Sequence, residues 1–255
     1  MKNKTLFLGL CVVALLIVSA VLFWNRYGRA IIKHICNNTN TTTTTSAKCI
    51  DGIDISHHNG IIDFKTIAAN NDLQFVYIKA TEGSTHKDSK YKHNVKNAKR
   101  QGLNVGAYHF FTMGSSAQKQ FDNFKNTVKK NEINLIPMVD VETYVNRRGY
   151  HIGDYYLNNR KQKQQVIDSL QELLDKLEKH YGKKPMIYCN EGSYKHLIQN
   201  NFSHYNIYYG DYSYKCNISD YTIWQYSERG FIKGIKKHVD VAQFSDKASV
   251  QDILL

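Results

Sequence analysis

The sequence predicts an α/β fold, a single irregular (β/α) barrel of the TIM type, over residues 49–255. Three observations carry this. Eight apolar runs of strand length follow one another. Helical patterns separate several of them, as in βα units. Polar and aromatic side chains gather at the ends of the runs, where α/β barrels hold their chemistry. The last third has strands with little helix between them, so a regular (β/α)₈ barrel is not expected. No internal repeat is evident.

Ahead of the barrel, Thr5–Trp24 holds twenty residues without a charge, between Lys2 and Lys4 on one side and Arg26 and Arg29 on the other. That length spans a bilayer as a helix. Val18-Ser19-Ala20 resembles a small-residue cleavage site, so a signal peptide is the competing reading. The apolar run continues through Val21–Trp24, which favours an uncleaved anchor over residues 1–24. Either way the domain is expected to be exported. It would be held by the membrane on the outer side of the inner membrane, or secreted if the segment is cleaved. Residues 25–48 form a linker. Its core, Asn37–Ser46, is threonine-rich and too polar to bury a core.

The elements then follow in order. Ile50–Ile55 and Gln74–Thr81 read as strands. Tyr91, Val95 and Ala98 lie at helical spacing within Tyr91–Gln101, and Gly102 suits its end. Asn104–Phe111 is the third strand. Ser115–Lys130 places Ala117, Phe121, Phe124 and Val128 on one helical face, with Ser115 or Ser116 as cap. Leu135–Glu142 is the fourth strand. Gln162–Tyr181 has the clearest helical stripe: Val166, Leu170, Leu173, Leu174, Leu177 and Tyr181, ended by Gly182. Lys184–Asn190, Asn206–Tyr212, Tyr221–Ser227 and His238–Phe244 complete the strands.

The formal net charge is +12. A basic balance suits nucleic acid or an anionic membrane or wall. The lysines are scattered and no nucleic-acid motif lies among them, so a diffusely basic surface is expected and no nucleic-acid partner. Of five cysteines, none forms a C-x-x-C pair, which weakens a zinc or redox reading. Cys189 and Cys216 follow the ends of the fifth and sixth strands; if those strands are neighbours, a disulfide between them is expected.

The fourth strand organises the chemistry. It ends in Asp140 and Glu142. Residues i and i+2 of a strand share a face, so both acids project to one side. Paired carboxylates at a strand end suit acid catalysis on a glycosidic bond. Two solvated acids in a loop is the plainer reading. The other strand ends shift the balance. They carry Asp54, then Lys79 and Glu82, then Tyr108 and His109, then Tyr188, then Trp224 and Gln225, and Asp240 on the last strand. Lys79 and Glu82 are as readily a structural ion pair as substrate contacts. His57 and His58 are adjacent and so point to opposite faces, which argues against one shared metal ion. Asp211 follows a strand end and is a further, weaker candidate for the cleft.

A resemblance makes these positions specific. Gly52–Gly60 (GIDISHHNG), Tyr77–Gly83 (YIKATEG), Gly106–Phe111 (GAYHFF), Pro137–Glu142 (PMVDVE), Ile223–Ser227 (IWQYS) and Val239–Val241 (VDV) occur in an order similar to that of family 25 glycoside hydrolases, the muramidase lysozymes. The resemblance covers about residues 50 to 245. It implies an irregular barrel and retaining cleavage of the β-1,4 bond from N-acetylmuramic acid to N-acetylglucosamine in peptidoglycan, by a monomer without metal or organic cofactor. It also implies roles. Glu142 matches the general acid/base, Asp140 the carboxylate that assists the substrate's acetamido group, and Asp54 and Asp240 further acids of the site. Tyr108, His109, Tyr188, Trp224 and Gln225 match sugar-binding positions. No wall-binding repeat accompanies the barrel, so a membrane-tethered muramidase is expected rather than a freely diffusing one. A non-catalytic glycan-binding module that has kept the cleft is the alternative, and the presence of all four acids argues against it.

Overall fold

The computed structural model describes residues 49–145 and 151–255. The expected anchor, residues 1–24, and the linker, residues 25–48, lie outside the described residues. Among the described residues no helix is long and apolar enough to cross a membrane. Ile50–Leu255 is a compact unit of its own.

Its frame is a closed ring of eight strands. They are β1 (Gly52–Ile55), β2 (Phe75–Glu82), β3 (Val105–Phe110), β4 (Met138–Val141), β5 (Met186–Asn190), β6 (Ile207–Gly210), β7 (Ile223–Gly230) and β8 (Val239–Phe244). Each pairs with the next in sequence, and β8 pairs with β1 to close the ring. The first seven run parallel. The last, β8, runs antiparallel to both β7 and β1. This is the irregularity of the barrel. It also explains Asp240, which lies near the start of its strand yet sits at the same rim as residues near the ends of the others. Reversing the strand carries its N-terminal end to that rim, and the register sets Asp240 opposite Asp54.

Four helices shield the ring: α1 (Phe64–Asn70), α2 (Tyr91–Arg100), α3 (Ala117–Thr127) and α4 (Arg160–Tyr181). The predicted stripe of α4 is the buried one, Val166 through Tyr181. Asn159 caps its start by accepting from the Lys161 and Gln162 amides, and Gly182 ends it at φ 91°, a left-handed conformation that side chains disfavour. The α1 helix was not legible in the sequence; Asp63 caps it, accepting from the Thr66 amide at 3.0 Å.

Alternation along the strands makes two cores. One lies between ring and helices and includes Ile53, Val76, Ile78, Val139, Val141, Ile187 and the α4 leucines. The other fills the barrel: Phe75, Tyr77, Met138, Met186, Tyr188, Tyr208, Ala242 and Phe244. Large rings inside a narrow barrel need small neighbours. A Cβ on Gly106 would overlap the Tyr77 ring, and one on Gly52 the Phe75 ring. Residues 250–255 stop the lower end, where Ile253 is fully buried and its carbonyl accepts from the Ile136 amide at 2.9 Å.

Candidate active site

The upper end of the barrel is open. A cavity of about 380 Å³ lies there, lined by Asp54, Tyr108, Met138, Asp140, Glu142, Tyr188, Asn190, Gly210, Tyr212, Gln225, Glu228 and Asp240. Its size falls within the range of ligand clefts, roughly 300–1,000 Å³. The four acids singled out in the sequence therefore meet in one place, with Tyr108, Tyr188 and Gln225 beside them.

The acids form two interacting pairs. Asp140 and Glu142, one residue apart at the end of β4, interact with each other. Burial pushes both carboxyls above the ordinary range, and the charge of Glu142 pushes Asp140 further. The positive charge of Lys79 pulls both back. Asp140 Oδ1 is buried without a hydrogen-bond partner among the described residues. Asp54 and Asp240 form the second pair, joined across the β1–β8 ladder. Burial raises Asp54 to about 6, against hydrogen bonds from Tyr208 and Asp240. Burial and the charge of Asp54 raise Asp240 to about 9. At neutral pH Asp240 is thus a neutral donor and Asp54 its acceptor.

Uncharged side chains hold this second pair. Tyr208 donates to Asp54 Oδ2 at 2.8 Å, and Tyr188 donates to Gln225 Oε1 at 2.6 Å. Gln225 Nε2 reaches Asp54 Oδ2 at 3.4 Å. Tyr208 was not singled out in the sequence, although its place two residues before Gly210 puts both on the inner face of β6. Tyr212, Asn190 and Glu228 were missed as well. Glu228 lies where β7 runs past the rim, which no alternation pattern announces.

Other expected site residues are placed elsewhere. His109 is on the opposite face of β3 from Tyr108, fully buried between ring and α3. Its Nδ1 is 2.7 Å from Thr81 Oγ1 and its Nε2 3.1 Å from Gln120 Oε1, and burial lowers its pKa to about 4. It is a neutral structural link rather than a sugar ligand. Trp224 likewise points away from Gln225 and donates to the Asp211 carbonyl at 2.6 Å. Lys79 and Glu82 bind each other at 2.7 Å, the ion-pair reading, and neither lines the cavity. The Asp211 carboxylate turns into its own loop, accepting from Ser213 and Asn217. His57 is held by Asp88 at 2.7 Å. Cys189 is a buried thiol on the outer face of β5, so the expected bridge to Cys216 is not made.

An α/β barrel with interacting carboxyls and aromatic rings at its open end has the arrangement that a glycoside hydrolase needs. The profile of Glycosyl hydrolases family 25 matches residues 53–235, and the chain belongs to that family. The protein YegX of Escherichia coli K12 is 32% identical over 203 residues, 77% of this chain and 70% of that one. The autolytic lysozyme of Clostridium acetobutylicum is 29% identical over 197 residues, 76% of this chain and 56% of that one. A family 25 glycosyl hydrolase structure from Bacillus anthracis superposes with a TM-score of 0.67 at 32% identity, covering 78% of this chain and 90% of its own. At the level of the family, the activity is peptidoglycan hydrolysis.

Proposed function

We propose that the protein is an N-acetylmuramidase. It cleaves the β-1,4 bond between N-acetylmuramic acid and N-acetylglucosamine, with Glu142 as general acid/base and Asp140 assisting. The observation that carries this reading is the convergence of Asp140 and Glu142 on the cavity at the open end of the barrel, where burial raises both carboxyls above their ordinary range. The relative named as an autolytic lysozyme supports the substrate class.

The chemistry follows from the pair. Glu142 is the more exposed of the two and reaches the substrate. As the glycan displaces water, the shared proton passes from Asp140 to Glu142 and then to the glycosidic oxygen, and the C1–O bond breaks. Asp140 is left as a carboxylate. Its charge stabilises the cation formed when the acetamido oxygen closes on C1. Glu142, now ionised, takes a proton from the water that opens this ring, which retains configuration. The apolar run at residues 5–24 supports export and attachment to the outer side of the inner membrane. The barrel acts as a monomer in this reading.

Glu142→Gln keeps the shape and removes the transferable proton. Turnover of purified peptidoglycan should fall by at least about 10²-fold with glycan binding retained, the usual scale for acid–base catalysis. Asp140→Asn should also lose rate at intact binding. A Glu142→Gln protein that digests at the unmodified rate removes Glu142 from the mechanism.

A further inference from the structure

Most large apolar side chains of the barrel are buried, but Ile61 and Phe231 are 83% and 77% exposed. Ile61 lies in the segment after β1, and Phe231 in the β7–β8 connection that folds onto that segment. Beyond Glu228 the β7–β8 connection leaves the rim and folds onto the segment after β1. The Asp63 amide donates to the Gly234 carbonyl at 2.9 Å, and Ile62 bridges Ile235. Asn59 Nδ2 donates to the His238 carbonyl at 3.1 Å, and Lys237 Nζ to the His58 carbonyl at 2.8 Å. The Phe231 ring lies 4.5 Å from that of His238.

The same connection is basic. Arg229, Lys233, Lys236 and Lys237 are all exposed. None of them forms an ion pair among the described residues, and the hydrogen bonds of Lys233 and Lys237 go to neutral oxygens. The acids around it are engaged elsewhere: Glu228 and Asp240 line the cleft, Asp63 caps α1 and Asp88 holds His57. The cleft itself has the opposite sign: five carboxyls line it and no cation does. Lys233 and Lys237 each make one hydrogen bond to a neighbouring segment, but the positive charge of the tip is left uncompensated beside an acidic cleft.

We propose that this tip, formed by Phe231, Lys236, Lys237 and Ile61, docks the anionic stem peptides of the polymer whose glycan lies in the cleft. The inference rests on the muramidase reading and names what part of the substrate lies outside the reacting bond. Two observations favour a peptide occupant. Phe231 follows Glu228 of the cleft lining by three residues, and its ring lies 4.5 Å from that of His238, two residues before Asp240. Stem peptides leave the glycan sideways and carry carboxylates and alanine methyls, which complement exposed lysines and apolar side chains. Charges at such a rim steer and orient more than they bind, so the effect should be moderate and screened by salt.

The test compares two forms of one polymer: intact peptidoglycan, and strands stripped of stem peptides by an amidase. Amidase cleavage frees the lactyl carboxylate of each muramic acid, so the stripped strands still carry one negative charge per muramic acid. The full-length Lys236→Glu/Lys237→Glu double variant, and separately Phe231→Ser, should lower kcat/KM on intact polymer about fivefold, on the scale of two exposed charge contacts. The loss should shrink in high salt for the lysine variant. On stripped strands both should lie within about twofold of wild type, which also shows that they fold. An equal loss on both polymers would assign the tip to the glycan strand itself and overturn the peptide assignment. No loss on intact polymer would overturn the docking role. Wild-type protein that cleaves neither polymer would overturn the muramidase reading and this inference together.

Discussion

Asp240 shows what assembling this site does to single side chains. Its carboxyl is carried from the model-peptide value of 3.8 to about 9, first by burial and then by the charge of Asp54. A folded pKa above the unfolded one means that the folded state binds the proton more tightly. The associated stability is therefore fully present below the unfolded value and is lost as pH rises towards the folded one. For Asp240 the window runs from about 4 to about 9; for Asp54 it runs from about 4 to about 6. Asp240→Asn keeps a donor for Asp54 and removes the titration. It should stabilise the fold by about 1–2 kcal/mol at pH 8, on the usual scale for a single substitution, and by little at pH 4. Denaturant midpoints across that range check this, and a gain independent of pH would contradict it. The residue identities of this site were largely legible, since Asp54, Asp140, Glu142 and Asp240 converge on one cavity. Their pairing was not, because it depends on which residues stand opposite across the ring. His109 and Trp224 were misplaced for a simpler reason. Each neighbours a cleft residue, Tyr108 or Gln225, and adjacent strand residues cannot share a face.

At the scale of elements, the eight strands and the long helix α4 follow from apolar periodicity, and their bounds fall close to those expected. The direction of β8 was not legible, since a strand with polar residues near both ends reads alike either way. The inner lining was legible only in part. Tyr77 and Tyr208 alternate correctly with their strands, but the glycines that make room for large rings sit on neighbouring strands. Gly106 is such a position. The Tyr77 ring cannot retreat, because its hydroxyl donates to the Ile136 carbonyl at 3.0 Å inside the barrel. Gly106→Ala should therefore cost about 1–3 kcal/mol by overpacking, read as a lower denaturant midpoint at unchanged slope. An unaltered midpoint would mean that the barrel interior yields more easily than its geometry implies.

For the whole molecule, the fold and the charge distribution divide the work. A barrel closed by an antiparallel strand brings carboxyls from β1, β4 and β8 to one end, residues 250–255 seal the other, and the outer surface is basic, with a net charge of +12 for the chain. An acidic cleft in a basic body suits a polymer that bears negative charge along its length while the reacting bond needs a proton. A muramidase cleft should cut on one side of the muramic acid and not the other. Digestion of purified peptidoglycan, borohydride reduction and mass analysis of the fragments test it most directly. New reducing ends should be recovered as the alditol of N-acetylmuramic acid. Fragments ending in the alditol of N-acetylglucosamine, or no new reducing ends at all, would contradict it.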